Sequence, residues 1–574
     1  MPTFRAAATL ALTSLAAAQP PAQPAQPAAQ PPQIPPALRL GLRADQVRTR
    51  LPVLPTLVIV KDATSFVDAI AEWRVNQRFP ILWDDGTPTA REHIARFARA
   101  FKPKKTLRWS SSRRTMSEWG ADTALVENAV GRAWTLDGTQ PLEGFDRAGV
   151  LKLWKELQLT PPGIAVAAKD DPAWPAALAL AAGRGMPIFW TTSSRRLDAP
   201  MSVADADILA RSIEQFAESS GFSWKSLGDD LDAIALCASI PQTITGTRTG
   251  IIATTDRLGR TADNRWAYAA QNPGLPPAAV YRAMCALFLP TNRQAWIFDS
   301  YPDEPGWNEY SGVVAEKLLA ELKWSVASVQ KPAGTIDAWR RATKDPLAAD
   351  LILVNTKGEK NQFHLASGTG ALRDLPMLST PPVVYFVHSF SAQFVGTRET
   401  LAGRWLDRGA AAYIGSVDEP QLSGFMPTPA VAARFSAQVP LAAAPRFDNA
   451  PAHKITIIGD PLLTFGNPAP APATDTRAPS LPNAVDLADE VRTLVRADLA
   501  EGIWTLVILG RDDDAAKLAA ALAKTGPAQW NPAAALAGAS ALYRTGKLDD
   551  LKELFKRLSK DDLAKHPDLQ DMNR

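Results

Sequence analysis

Two cysteines and five histidines are all the thiols and imidazoles in 574 residues. Two cysteines close at most one disulfide, so this is no disulfide scaffold. Cys237 stands in AIALCASI and Cys285 in YRAMCALFL, surroundings that suit small buried hydrophobes better than thiolates. No His-x-His or His-x-x-x-His spacing occurs, so no zinc site is expected, and no cofactor is expected either. An excess of one charge is missing too: 62 basic against 59 acidic residues leave +3. That balance supplies no footprint for nucleic acid or an anionic membrane. No apolar run reaches the ~18 residues of a membrane-spanning helix.

Proline (48) and tryptophan (17) are plentiful. The start, MPTFRAAATLALTSLAAAQ, has Arg5, a short apolar stretch and Ala16-Ala17-Ala18, the pattern of an export signal over residues 1–18. A Pro/Ala-rich linker is expected over 19–49, densest at 20–36. The expected address is outside a bacterial cytoplasm: periplasm, cell surface or medium. The near-absence of cysteine suits an exported bacterial protein that does without disulfides.

The length calls for several cores. In the region 50–290 a pattern occurs twice. An apolar strand at 57–60 runs into Lys61-Asp62, a helix follows with Phe66, Ala69 and Ile70 on one face, and Pro80-Ile81-Leu82-Trp83 closes it. The second copy has a strand from Ile164 to Lys169-Asp170, then Trp174, Ala177 and Leu178, then Pro187-Ile188-Phe189-Trp190, one residue early. Strand–helix–strand with both strands apolar predicts parallel βαβ units in tandem. The unit resembles the cell-wall-binding repeat of Gram-positive surface proteins. Further on, 256–265 reads as a polar loop and 276–289 as a helix. Asp84-Asp85-Gly86 reads as a solvated turn, and Asp512-Asp513-Asp514 as helix N-terminal acids. A second linker is expected over 466–483 and a helical tail over 484–574. In that tail ALAGASALYRTGKLDDLKELFKRL resembles one tetratricopeptide-like hairpin with Gly546 in its turn, and a generic helical cap fits as well. His93 and His566 are expected to face solvent, and His453 precedes a strand.

The remaining region, 291–465, concentrates the polar residues with a plausible role. Apolar runs at 351–354, 383–387, 411–414 and 455–458 each stop at small or polar residues. The last three end at His388-Ser389, Gly415-Ser416 and Gly459-Asp460-Pro461. Such runs predict a parallel sheet buried on both faces, where ligands lie past the carboxyl ends of the strands. The crevice residues this selects are Lys357, His364, His388, Ser389, Ser391, Ser416, Asp418 and Glu419.

Residues 409–416 (GAAAYIGS) and Gly459-Asp460-Pro461, in this order of strands and helices, resemble the gingipain-type cysteine peptidases of family C25, which have a caspase-like fold. The resemblance spans roughly 295–465. It implies a His-Gly pair at one strand tip and a nucleophilic Cys at the next. Here Lys357-Gly358 stands at the first position, and the loop at the second, 386–391, holds no cysteine. A thiolate with a His partner is the engine of that chemistry. The fold expected is therefore α/β throughout: parallel-sheet βαβ repeats, then a caspase-like α/β domain, then a small all-α carboxy-terminal region. Two functions fit. One is an exported, non-catalytic binding or scaffold protein for peptide, protein or cell-wall polymer. The other is a hydrolase in which Ser389 is activated by Lys357 or His364, with the strand tip at Gly415-Ser416 offering N–H donors to an oxyanion.

Overall fold

Leu351 and Leu353 enter one hydrophobic core, while Ile352 and Val354 enter another. The same split divides Val383 and Tyr385 from Val384 and Phe386. Side chains alternate between faces along a strand, so both faces of these strands are covered. In the computed structural model these runs lie in one ten-stranded sheet. The structure describes residues 34–113, 116, 120–136, 145–192, 196–247, 250–261, 264–465, 479 and 481–572. The expected export signal, the proline-rich stretch before residue 34 and most of the second linker lie outside them.

From one edge, the sheet runs Ser325–Val329, Gln294–Asp299, Leu351–Asn355, Val383–Val387, Ala412–Ser416, Ile455–Ile458, Tyr268–Gln271, Ala233–Cys237, Gly163–Ala168 and Ile188–Thr191. The first five strands are mutually parallel, and so are the last five. The halves meet antiparallel, with Ser416 opposite Ile455. Helices Trp174–Arg184, Pro276–Phe288, Gly312–Glu321 and Thr428–Ser436 cover one face. Val203–Ser220 covers one half of the other face, and Ile336–Ala342 with Leu401–Asp407 covers the rest.

The opposed halves place their carboxyl edges on opposite sides of the sheet. Gly459-Asp460-Pro461 therefore does not join His388 and Ser416. Strand Ile455–Ile458 takes its direction from Tyr268–Gln271, its parallel neighbour in the other half. Apolar composition does not encode that direction. Asp460 is buried and pairs with Arg184 at 2.7 Å.

The two predicted βαβ units are both parallel, and each first strand lies between two parallel neighbours. They sit in different sheets. Thr56–Val60 belongs to a four-stranded sheet with Ile81–Trp83, Lys105–Arg108 and Val485–Asp486. Val60 is in register with Trp83, and Ala167 with Trp190.

Residues 36–574 form one compact unit. The regions expected on either side of residue 290 share the large sheet, because the strands at 163–271 continue it beyond the strands at 294–458, with Gln271 in register with Ile458. The first linker also ends earlier than expected. Pro36–Arg50 is a helix, with Pro36 at its start and Leu40 and Ala44 buried one turn apart. Gly41 is needed where this helix touches the 438 carbonyl, since a Cβ would stand 1.8 Å from that oxygen.

In the stretch expected as a polar loop, Thr254–Arg257 is a short helix and Arg260–Thr261 pairs antiparallel with Asn264–Arg265. Asp256 is buried among Arg260, Arg265 and Arg446, with Arg265 Nη2 at 2.5 Å. The tail is helical as expected, and its largely apolar helix Leu499–Ile508 packs on helix Pro88–Phe101. The tail docks on the α/β core through ion pairs. Arg544 bridges Glu92 and Asp512 at 2.7 Å each. Arg398 meets Asp568 at 2.8 Å, Arg404 meets Asp571 at 2.9 Å, and Arg408 also reaches Asp571. This docking covers His566, and His93 is sandwiched against Tyr281. Both histidines are 2 % exposed, against the expectation that they face solvent. Among the described residues no helix is long and apolar enough to cross a membrane.

Candidate functional site

The carboxyl edge of the half containing Val383–Val387 is built first from backbone satisfaction. Asp299 closes its strand by accepting from the N–H groups of Tyr301 (3.1 Å) and Gly312 (2.7 Å). Asn355 donates to the Tyr310 carbonyl (2.6 Å) and accepts from the Thr428 hydroxyl (2.7 Å). The phenol of Tyr301 donates toward the carbonyls of Thr356 (3.1 Å) and Val387 (3.0 Å), and so ties three strand tips together. Burial, with the Asp299 charge nearby, holds that phenol protonated well above its ordinary range.

Above this edge lies a three-stranded antiparallel flap of Lys357–Glu359, Gln362–His364 and Thr369–Ala371. Lys357 is directly opposite His364. Cross-strand partners share a face, and both side chains border a pocket of about 700 Å³ together with Tyr301, Asp303 and Lys331. Lys357 Nζ sits 4.2 Å from the ring centre of Trp307, which itself packs edge-on against Tyr301. His364 Nδ1 is 3.1 Å from the Thr369 hydroxyl. Lys331 is tied down by Asp303, Asn308 and the Pro302 carbonyl.

His388 is beneath the flap and 1 % exposed. Its Nδ1 faces the Ser389 carbonyl at 2.5 Å and its Nε2 the Gln362 carbonyl at 3.1 Å. Burial pushes its pKa down to about 4. A neutral ring then donates to one of these carbonyls and leaves its other nitrogen facing oxygen. Gly358, at φ +141°, makes room for this ring, since a Cβ would lie 2.9 Å from Nε2 and 2.5 Å from the Gln362 carbonyl oxygen.

The remaining predicted residues divide. The loop after His388 is sewn to the segment after Ser416 by Phe390 N–H to the Asp418 carbonyl (3.2 Å) and Ala392 N–H to the Ser416 carbonyl (2.8 Å). Phe390 takes the left-handed conformation there, at φ 58°. The two loops are thus neighbours, as parallel strands require. Ser389 is half-buried and makes no hydrogen bond to Lys357 or His364. Ser391 is buried against Gly415, and its hydroxyl lacks a hydrogen-bond partner. Ser416 spends its hydroxyl on the carbonyls of Asp418 (2.7 Å) and Lys454 (3.2 Å). Asp418 pairs with Lys454 at 2.7 Å. Glu419 is exposed, and its carboxylate accepts from the Gln421 N–H at 2.8 Å. Residues missed in the sequence are Tyr301, Trp307 and Lys331. Phe298-Asp299-Ser300-Tyr301 does carry the strand-then-polar signal, so Tyr301 was within reach.

Both cysteines lie elsewhere. Cys237 ends its strand, but it belongs to the other half of the sheet and is buried. Burial pushes both thiols well above their ordinary range. Among the described residues no three His, Cys, Asp or Glu side chains gather as a metal would need.

No known family model matches the chain. No curated protein matches it either. Solved structures do. A crystal structure of the Arg-specific cysteine proteinase gingipain R is 14% identical with a TM-score of 0.36, over 53% of this chain and 78% of that one. The complex of Porphyromonas gingivalis RgpB pro- and mature domains is 12% identical with a TM-score of 0.37, over 53% and 79%. A third, a protease, is 12% identical with a TM-score of 0.37, over 54% and 81%. Scores this low transfer no residue role to this chain.

Proposed function

We propose that this is an exported binding or scaffold protein that holds a peptide, a protein segment or a cell-wall polymer in the pocket beside Lys357 and His364 and does not cleave it. The observation that carries the reading is that most of the polar groups at these strand tips are already consumed. Asp299, Asn355 and Ser416 are each tied to backbone groups, and His388 is clamped under the flap between two carbonyls. Among the described residues Ser389 has no base in hydrogen-bond contact, and an activated hydroxyl needs one. The cysteine route needs a thiolate, and both thiols are buried away from these strand tips, Cys237 on a strand of the other half of the sheet and Cys285 on helix Pro276–Phe288. The C25-like motifs at 409–416 and 459–461 support descent from a hydrolase frame that has Lys357 where its base would stand. The pattern over residues 1–18 supports export.

A second reading, a hydrolase using Ser389 with Lys357 or His364, draws on one observation: both bases face a pocket large enough for a substrate. One experiment separates the two. Purified protein is treated with serine- and cysteine-directed activity probes, and in parallel its binding to peptide arrays and to isolated cell wall is measured. Binding without labelling is expected. Labelling that disappears in Ser389→Ala sinks the binding-only reading and supports the second.

A further inference from the structure

Arg282 is an isolated buried cation. It is 4 % exposed and has no Asp or Glu partner among the described residues. Its Nε donates to the Asn272 side-chain oxygen (2.6 Å) and its Nη2 to the Pro273 carbonyl, which leaves Nη1 without a hydrogen bond. A buried charge is ordinarily paired. Arg282 instead lines a pocket of about 350 Å³. That size falls within the range of small-molecule sites.

The pocket lies where the fold favours a ligand. Helix Pro276–Phe288 follows strand Tyr268–Gln271, so its N-terminus stands at the carboxyl edge of the second half of the sheet. That helix belongs to the core on one face, and helix Leu401–Asp407 to the core on the other. The cavity they share is therefore past the sheet edge, opposite the flap. The 13-residue helix has no side-chain cap, and its first two residues are prolines. Its first N–H is that of Ala278, which lines the pocket. Such an end favours an anion. His93, 2 % exposed, also borders the cavity, and its Nε2–H donates to the Asp407 carbonyl at 2.9 Å.

We propose that this second pocket binds a free amino acid or dipeptide, with the carboxylate on Arg282 Nη1 and the Ala278 N–H and the ammonium end donating toward the Asp85 carboxylate. Asp85 is exposed and lines the same pocket. The other two charged groups of the pocket, Arg398 and Asp407, neutralise each other at 2.9 Å. The site is separate from the pocket at Lys357, so its test does not depend on the binding function proposed above.

The test is thermal unfolding and calorimetric titration of the full chain with L-alanyl-L-alanine, its carboxyl-terminal amide, its N-acetyl form and acetate. The dipeptide is expected to raise Tm in a saturable way. The amide is expected to give no shift, and N-acetylation and acetate to cost tenfold or more in affinity. Ala278→Glu adds a carboxylate at a helix N-terminus, where it suits the helix, so the variant folds. It is expected to abolish binding with Tm kept. Arg282→Lys is expected to retain weakened binding. The proposal is overturned by no saturable shift at millimolar dipeptide, by equal binding of dipeptide and amide or of dipeptide and acetate, or by binding that survives in Ala278→Glu.

Discussion

Arg544, near the end of a tail helix, donates to the Glu92 carboxylate at 2.7 Å, and Glu92 belongs to a helix of the α/β core. Burial opposes the charge on Glu92, but Arg544, with Arg99 and Arg96, holds its pKa down at about 2. Removing one partner of a buried pair leaves the other uncompensated, at a cost of about 3–5 kcal/mol. Arg544→Ala is therefore expected to loosen the tail. Urea unfolding should lose roughly that much stability, and hydrogen exchange should speed up in helix Pro532–Arg544 before it does so in the central strands. A variant with unchanged exchange in that helix would show that the docking rests on apolar contacts alone.

Acid should weaken the fold from near pH 6.5 downward. Burial lowers His93 to about 3 and His388 to about 4, and lowers His566 as well, from an ordinary 6.5. Below 6.5 the unfolded chain takes up protons that the folded chain refuses, so stability falls with pH until the folded values are reached. At about 1.4 kcal/mol per pH unit, His388 alone removes roughly 3 kcal/mol. Glu92 adds to the loss below its ordinary 4.5, because its lowered pKa stabilises the fold only while the carboxylate is charged. Urea midpoints measured between neutral and mildly acid pH should decline, and His388→Asn should decline less steeply. A flat profile would mean that these rings bind protons in the native state.

The strands of the Lys357 half were legible because burial on both faces leaves unbroken apolar runs. So was the neighbourhood of His388, Ser389 and Ser416, since parallel strands bring their tips together. What the sequence hid is direction and partnership. Nothing in ITII at 455–458 says that it faces the other way from AYIGS at 412–416, and that reversal moved Asp460 to the far edge. Nor does local pattern reveal long-range pairing: Glu92 with Arg544, or the three arginines around Asp256, join residues too far apart in sequence for any period to mark. His93 is hidden for the same reason: its ring stacks on Tyr281 and bonds the Asp407 carbonyl, both far off in sequence.

Native protein should resist thiol reagents. Cys237 and Cys285 are buried, and burial pushes both thiols well above the ordinary value, so thiolate is scarce and access is closed. Maleimide labelling read by intact mass is expected to add nothing to the folded chain and two adducts after denaturation, one for each cysteine. Rapid labelling of folded protein at either position would bring back a reactive cysteine and with it a catalytic reading.

The flap offers the sharpest separation of architecture from function, because neighbouring residues in it do different work. Lys357 is exposed, and its ammonium sits over the Trp307 ring. A cation over an aromatic face at an exposed site contributes about 0.5–1 kcal/mol, so Lys357→Ala should lower Tm by no more than a few degrees. If the pocket works, the same change should weaken ligand binding markedly. Gly358 faces the opposite demand. Its φ of +141° and the close approach of His388 Nε2 and the Gln362 carbonyl leave no room for a Cβ. Gly358→Ala should therefore cost about 1–3 kcal/mol of strain and disturb the flap. Its loss of binding should come with a loss of stability, where that of Lys357→Ala does not. Ser389→Ala completes the set, since among the described residues its hydroxyl has no hydrogen-bonded base; it should keep the melting temperature and, on the binding reading, weaken ligand binding. If Lys357→Ala and Ser389→Ala both fold normally and bind every ligand as the parent does, the crevice is architecture only.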